Sequence, residues 1–324
     1  MEKLLEIKEL NVSFANGADW VQVISGISLD LNANESLGIV GESGSGKSVT
    51  SLAAMRLLPP KMAKVEGEIL FGEQNLLKAS EKDMQSIRGN RIAMIFQEPM
   101  TSLNPLHTCG KQIAESVLLH TKKTKKEALA RAEELLELCG IPDPKQRMKE
   151  YPHQLSGGMR QRIMIAIALA CDPDLLIADE PTTALDVTIQ AQILELLKSL
   201  RKQRNMGIIM ITHDLGIVYD FCDRVVVVYT GQVVEVSPVK ALFENPLHPY
   251  TEGLIAAIPQ LGQETDRLEA IEGMVPDIGK MPNGCHFHPR CKYATEQCKS
   301  EEPQLLTVAD GRQVRCHRAR EVSK

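Results

Sequence analysis

The sequence predicts an α/β fold with two additions, a helical subdomain in the middle of the chain and a small cysteine-rich C-terminal domain. Short apolar runs that are typical of buried strands recur along the 324 residues, at 37–40, 175–178, 208–212 and 225–229. Between about residues 98 and 170 the pattern becomes helical. The last 80 residues lack long periodic segments and carry many Pro and Gly together with four cysteines. Strand patterns separated by turns before residue 97 also predict an antiparallel β subdomain.

A glycine-rich loop follows the first buried strand. Residues 41–48 match G-x-x-x-x-G-K-[S/T], and the stretch 48–58 after them predicts a helix that Pro59-Pro60 stops. This order lets backbone N–H groups and a helix N-terminus face a phosphate, which argues against an accidental glycine turn. We therefore predict a P-loop NTPase (RecA-like) core. The predicted ATP-binding residues are Gly41, Glu42, Ser43, Gly44, Ser45, Gly46, Lys47, Ser48 and Val49.

Lys47 and Ser48 have separate expected roles at the end of this phosphate-binding loop (residues 41–48). The Lys47 ammonium would reach the β- and γ-phosphates, and the Ser48 hydroxyl would bind Mg²⁺.

Two carboxylates follow the apolar run 175–178. Asp179 and Glu180 are placed at the C-terminal end of a parallel strand, where such sheets bind ligands. Asp179 can hold Mg²⁺ or its water shell, and Glu180 can polarise an attacking water as general base. An acidic turn would explain the pair alone, but the phosphate-binding loop favours the catalytic interpretation.

A second potential anion site begins at Ser156. Ser156 is a good helix N-cap, and Gly157 and Gly158 leave backbone donors open at the start of an apolar helix pattern. Since the chain already has one phosphate-binding loop, a second such site suggests that ATP is shared between two subunits.

With these motifs the chain resembles the nucleotide-binding subunits of ABC transporters. The resemblance implies that a signature segment contacts the ATP held by a dimer partner: Leu155, Ser156, Gly157, Gly158 and Met159. The commonest signature has Gln where this chain has Met159. The resemblance also identifies Gln97 as the Q-loop residue that senses Mg²⁺ and the membrane partner, and Asp186 as the D-loop aspartate at the dimer interface. His213 matches the switch histidine that contacts the γ-phosphate.

The predicted site therefore has three groups of residues. Glu180, His213 and Gln97 are the catalytic candidates, and Ser48, Gln97 and Asp179 are the candidate Mg²⁺ ligands. Trp20 is the candidate for stacking on adenine, with Phe14 as the alternative.

Composition limits the class of protein. The formal net charge is −5, whereas a general nucleic-acid binder carries an excess of basic residues, so we expect no nucleic-acid partner. No apolar run approaches the roughly 18 residues of a membrane span, and acids interrupt the N-terminal segment, which argues against a signal peptide. If the protein works at a membrane, another chain must supply the pore.

The four C-terminal cysteines form a candidate metal centre. Cys285, Cys291, Cys298 and Cys316 are separated by five, six and seventeen residues, whereas structural zinc sites generally use closer pairs. In a reducing cytosol disulfides are disfavoured. The loose spacing suits an iron–sulfur cluster better, with Zn²⁺ as the alternative.

Segments 248–251 and 282–291 resemble the C-terminal extension of oligopeptide and dipeptide importer ATPases, which also occurs in some nickel systems. The resemblance implies a [4Fe–4S] cluster on the four cysteines. Three neighbouring histidines are weaker candidates for ligands: His286, His288 and His317. We expect a nucleotide-binding domain at 1–245 and a C-terminal extension at 246–324.

These resemblances imply an ATPase on the cytoplasmic face of the cell membrane, attached peripherally. It would pair with a second ABC ATPase subunit, identical or not, and with two transmembrane permease subunits. An extracytoplasmic peptide-binding protein would act indirectly. Three alternatives remain open: a nickel importer, a soluble ABC-type ATPase of iron–sulfur assembly or repair, and a redox-sensing or metal-sensing tail that gates the ATPase.

Overall fold

The computed structural model describes residues 3–97, 102–182, 185–258, 271–308 and 311–319. Residues 98–101, at the predicted start of the helical subdomain, lie outside the described residues, as do parts of the predicted C-terminal extension. The chain divides into two compact units. The first contains residues 1–4, 31–36 and 78–210, and the second contains residues 5–30, 37–77 and 211–324.

The first unit contains buried strands in the order β8, β7, β6 and a set of helices. The strands are β6 (Ile92–Ile95), β7 (Leu175–Asp179) and β8 (Gly207–Ile211). The helices are Glu81–Ile87, Cys109–His120, Lys125–Leu138, Pro144–Arg147, Gly157–Ala168 and Val187–Arg204, with a 3₁₀ turn at Pro152–Gln154. Strands β6 and β7 run parallel, as their continuous apolar sequences predict.

Helix ends in this unit follow local capping chemistry. Thr124 and Glu127 form a reciprocal capping box at the start of Lys125–Leu138. Gly140, with φ of +67°, follows the end of that helix in the left-handed conformation that glycine adopts easily. The thiol of Cys139, at the end of the same helix, is buried, and Cys171 is half-buried.

The second unit contains an antiparallel sheet in the order β2, β1, β4, β5. Its strands are β1 (Lys3–Asn16), β2 (Asp19–Asn32), β4 (Ala63–Phe71) and β5 (Gln74–Asn75). This is the antiparallel subdomain that the N-terminal patterns predict.

A second set of strands in this unit runs in the order β11, β12, β10, β9, β3. They are β3 (Ser36–Val40), β9 (Arg224–Tyr229), β10 (Gln232–Pro238), β11 (Leu306–Thr307) and β12 (Gln313–Val314). The helices are Lys47–Ala54, Leu215–Phe221, Val239–Glu244, Pro249–Ala256 and Glu296–Ser300, with a 3₁₀ turn at His288–Arg290. Strand β3, which leads into the phosphate-binding loop, pairs in parallel with β9.

The C-terminal residues pack directly on strand β10. Strand β12 extends the sheet, with Val314 opposite Glu235. The fully buried Glu235 carboxylate accepts hydrogen bonds from the backbone N–H groups of Leu247 and His248, at 3.0 and 2.9 Å, and from Arg312 at 3.1 Å. These bonds satisfy a buried charge that would otherwise be costly. The domain boundary at residue 245 remains a prediction.

Across the described ranges, no helix combines the length and apolar character that crossing a membrane requires.

Candidate functional site

The phosphate-binding loop lies in the second unit and depends on two glycines. Gly41 has φ of +153°, and a Cβ there would approach the Val228 carbonyl oxygen to 2.1 Å. Gly46, with φ of +98°, is the N-cap of helix Lys47–Ala54 and offers no capping side chain. No cap side chain therefore blocks the approach of an anion to the start of this helix.

Lys47 is held against its own loop. Its side chain is 7% exposed, and its ammonium donates to the carbonyl oxygens of Gly41 at 2.7 Å and Glu42 at 2.9 Å. The tip of the loop, Ser43 and Gly44, is exposed, whereas Ser48 and Val49 are half-buried. The Lys47 ammonium and the exposed backbone of Ser43 and Gly44 therefore lie within one short segment.

The first unit brings Gln97 and Glu180 together. The Gln97 amide donates to the Glu180 carboxylate, with Nε2 and Oε2 3.1 Å apart. Asp179, the last residue of β7, is 4% exposed. Glu180 has φ of +47°, in the left-handed region that is uncommon for a residue other than glycine. Such backbone conformations cluster at functional sites, so Glu180 is the strongest catalytic candidate in this unit.

The predicted signature forms the start of helix Gly157–Ala168. Ser156 is its N-cap, and its hydroxyl accepts a hydrogen bond from the Met159 N–H at 3.3 Å. Ser156 and Gly157 are exposed, Met159 is half-buried, and Leu155 is buried. A Cβ added at Gly157 would meet nothing within 4 Å, so the backbone there is open to a ligand or partner.

Gln161, one turn further along this helix, has a role that the sequence does not predict. Its side-chain amide donates to the Pro181 carbonyl oxygen at 2.5 Å. This bond ties the signature helix to the residue after Glu180. No sequence pattern marks Gln161, because the contact joins two segments that are 20 residues apart.

Asp186 begins the long helix Val187–Arg204. It is exposed, and its carboxylate accepts a hydrogen bond from the Ile189 N–H at 2.9 Å. Residues 183–184 before it lie outside the described residues.

His213 and Trp20 belong to the second unit and are both exposed. His213 follows strand β8, as predicted. The Lys64 ammonium lies 3.9 Å from the centroid of the Trp20 ring, so one face of the indole is already covered. Phe14, the alternative, is half-buried. Trp20 therefore stays a prediction for adenine stacking.

The four C-terminal cysteines line one small cavity, together with Phe287, His288, Tyr293 and Arg318 among others. Burial raises the pKa of the Cys285 thiol to about 11, and it also raises the pKa of Cys291 and of Cys316. Burial therefore disfavours the thiolate form of these three residues.

The predicted metal-binding domain gains no direct support from this arrangement. In the described part of the chain, no three His, Cys, Asp or Glu side chains form a group that could hold a metal ion. The neighbouring histidines have other partners: His286 bonds Thr230, His288 bonds the Cys285 carbonyl and His317 bonds the Glu301 carbonyl, each at 3.0 Å.

Comparisons with known families cover most of the chain. The family model described as ABC transporter matches residues 24–183, and the model described as oligopeptide/dipeptide transporter, C-terminal region, matches residues 234–298.

Several curated relatives match over nearly full length. The oligopeptide transport ATP-binding protein AppD of Bacillus subtilis is 52% identical and is aligned over 98% of this chain and 97% of its own. The dipeptide transport ATP-binding protein DppD of Escherichia coli is 49% identical, over 97% of this chain and 96% of its own.

Solved structures agree on the fold. The dimeric structure of MJ0796, a bacterial ABC transporter cassette, has a TM-score of 0.66 at 26% identity, covering 72% of this chain and 98% of that one. The structure of cbiO1 from Clostridium perfringens, part of the ABC transporter complex cbiONQ, has a TM-score of 0.63 at 29% identity, covering 75% and 92%. The fold is therefore the ABC ATPase cassette, and the resemblance drawn from the motifs is confirmed. This chain belongs to the ABC transporter ATP-binding proteins, in the branch that contains the oligopeptide and dipeptide transport ATP-binding proteins.

Proposed function

We propose that this chain is the ATP-hydrolysing subunit of a membrane importer for dipeptides or oligopeptides. One observation carries the substrate class: residues 234–298 match the C-terminal region of oligopeptide and dipeptide transporters, and relatives so named align over nearly the whole chain. A soluble ATPase of iron–sulfur assembly or repair would not need this region, and the AppD and DppD relatives described above are named for peptide transport and not for nickel.

The proposed chemistry begins at the phosphate-binding loop. Loop N–H groups and Lys47 bind the phosphates, which requires Lys47 to exchange its bonds to Gly41 and Glu42 for bonds to the β- and γ-phosphates. Ser48, Asp179 and Gln97 would hold Mg²⁺. The buried Asp179 carboxylate and the Ser48 hydroxyl at the helix start are oxygen donors of the kind that Mg²⁺ prefers.

Hydrolysis is proposed to depend on Glu180 as general base. Gln97 lies within hydrogen-bonding distance of this carboxylate, so it can orient Glu180 or the attacking water. His213 would contact the γ-phosphate.

Dimer formation completes the proposed site. The Ser156–Gly158 backbone of one subunit would contact ATP held by the other, which suits its exposure. Asp186 would lie at the same interface. ATP binding would stabilise the closed dimer and hydrolysis would release it, because the closed form has the higher affinity for ATP.

The remaining partners are proposed from the relatives. The subunit would associate with a second ABC ATPase subunit and with two permeases at the cytoplasmic face of the membrane. An extracytoplasmic peptide-binding protein would supply the substrate.

Uptake by cells that lack this chain tests the proposal. Cells complemented with the wild-type chain should accumulate a labelled dipeptide or oligopeptide, whereas cells complemented with Glu180→Gln should not. Restored nickel uptake without peptide uptake, or co-purification without any permease, would contradict the proposal.

We also propose that Cys285, Cys291, Cys298 and Cys316 hold a [4Fe–4S] cluster. The proposal is supported by the cavity that all four thiols line. Among the described residues, no three ligands form a site for a single metal ion. A [4Fe–4S] cluster contains several metal atoms, so it can bind thiolates that are farther apart than the ligands of one ion. When bound, it would supply a covalent cross-link between these loops.

Anaerobic purification followed by a visible spectrum and metal analysis tests the cluster. We expect a brown protein with about four iron and four sulfide per chain, lost in Cys285→Ser. A colourless protein without iron would contradict the assignment.

A further inference from the structure

Glu42, inside the phosphate-binding loop, is held by the C-terminal residues. Its carboxylate receives both terminal nitrogens of Arg290, with Nη1 2.6 Å from Oε2 and Nη2 3.0 Å from Oε1. The Arg290 side chain is 4% exposed and that of Glu42 30% exposed. A bidentate pair of this kind sets the orientation of both side chains as well as pairing their charges, and it lies largely out of solvent.

Tyr250 holds the same residue through the backbone. Its hydroxyl accepts a hydrogen bond from the Glu42 N–H at 2.8 Å, and the tyrosine is fully buried. The Glu42 carbonyl in turn accepts from the Lys47 ammonium at 2.9 Å. Glu42 is thus fixed at its carboxylate and its N–H by C-terminal residues, and it is bonded at its carbonyl to the lysine that would reach the nucleotide.

Arg290 and Tyr250 are themselves rigidly placed. The rings of Tyr229, Tyr250 and Phe287 form an aromatic cluster, with centroids 4.7 to 5.5 Å apart. The Arg290 guanidinium lies 5.9 Å from the Tyr229 centroid, and its Nε donates to the Glu272 carbonyl at 3.1 Å. Arg290 ends the 3₁₀ turn that connects Phe287 to Cys291.

We propose that Arg290 and Tyr250 are positioning residues that set the affinity of the phosphate-binding loop for ATP through Glu42. This inference rests on the proposed ATP site. The C-terminal extension then acts on the nucleotide without touching it. A displacement of the turn His288–Arg290 would move Glu42, and with it one of the carbonyls that hold Lys47.

Binding of Mg-ATP to the full-length chain, measured by calorimetry, tests the proposal. We expect Arg290→Gln and Glu42→Gln each to raise the dissociation constant for Mg-ATP about tenfold, because each removes a charge-assisted hydrogen bond that orders the loop. The double variant should bind Mg-ATP almost as tightly as either single variant, since both substitutions remove the same interaction.

The matched control is Lys292→Gln. Lys292 pairs with Glu252 at 2.8 Å in the same region, but its side chain is 64% exposed and the pair does not involve the loop. Its affinity for ATP should stay at the wild-type value. A purely structural role of Arg290 would lower the unfolding temperature of Arg290→Gln and leave its affinity unchanged, which would overturn the proposal. Losses that add in the double variant would also overturn it.

Tyr250→Phe keeps the test valid if Arg290→Gln does not fold. It removes one hydroxyl from a well-packed ring, and we expect a several-fold weaker dissociation constant. Unchanged affinity would contradict the proposal. Lys47→Ala separates this inference from the proposed function: if Lys47→Ala binds ATP as tightly as the wild type, the site itself is misassigned and the inference loses its basis.

Discussion

The phosphate-binding loop and the C-terminal extension meet at Glu42, but they are encoded in different ways. The loop is built from contiguous residues whose glycines, lysine and helix start determine its geometry locally. The extension reaches the loop through Arg290, which lies 248 residues away in sequence, and through Tyr250, which lies 208 residues away. The residues that bind the phosphates are therefore adjacent in sequence, whereas the residues that support them come from distant parts of the chain.

The largest effect should come from the aromatic cluster that supports the loop. Phe287 is 3% exposed and contacts the rings of Tyr229 and Tyr250. Phe287→Ala should lower the free energy of unfolding by about 3–5 kcal/mol, measured by denaturant titration. Tyr219→Ala is the control, because Tyr219 is 54% exposed. Equal losses in the two variants would remove the distinction between supporting cluster and surface.

Lys47→Ala should affect ATP binding more than it affects stability. It should weaken ATP binding by about a hundredfold, because it removes a charged donor to the phosphates. Its unfolding temperature without nucleotide should change much less than that of Phe287→Ala. A variant that unfolds early yet keeps tight ATP binding would show that Lys47 belongs to the support and not to the binding chemistry.

The sequence predicted most of what is local. The strand before the loop, predicted at 37–40, is observed at Ser36–Val40, and that before Asp179 is observed at Leu175–Asp179. The apolar pattern after the loop predicts a helix up to residue 58, but the helix ends at Ala54, because Arg56 adopts φ of +50° before the prolines. Periodicity cannot detect such a backbone reversal.

Contacts between distant segments could not be predicted. No sequence pattern predicts the hydrogen bond from Gln161 to Pro181 or the ion pair between Arg290 and Glu42. The cysteines show the same limit. Their spacing suggested a metal site and their shared cavity is consistent with a common role, but the described ligands do not converge on one ion.

The smallest effect concerns two helix caps in the first unit. Ser156→Ala and Thr124→Ala each remove a side chain that accepts a backbone N–H, so each should cost about 1 kcal/mol of unfolding free energy. Only Ser156→Ala should also lower ATP turnover, measured by phosphate release, because Ser156 belongs to the proposed signature. An equal loss of turnover in Thr124→Ala would mean that helix stability alone explains the effect.

The assignment of Glu180 as general base is tested by measuring ATP binding and ATP turnover together in Glu180→Gln. The substitution keeps the size and hydrogen-bonding capacity of the side chain beside Gln97 but removes its basicity. We predict ATP binding close to that of the wild type, accumulation of a closed dimer, and turnover lowered at least about a hundredfold. Turnover at the wild-type rate would contradict the assignment of Glu180 as the base of an ABC ATPase.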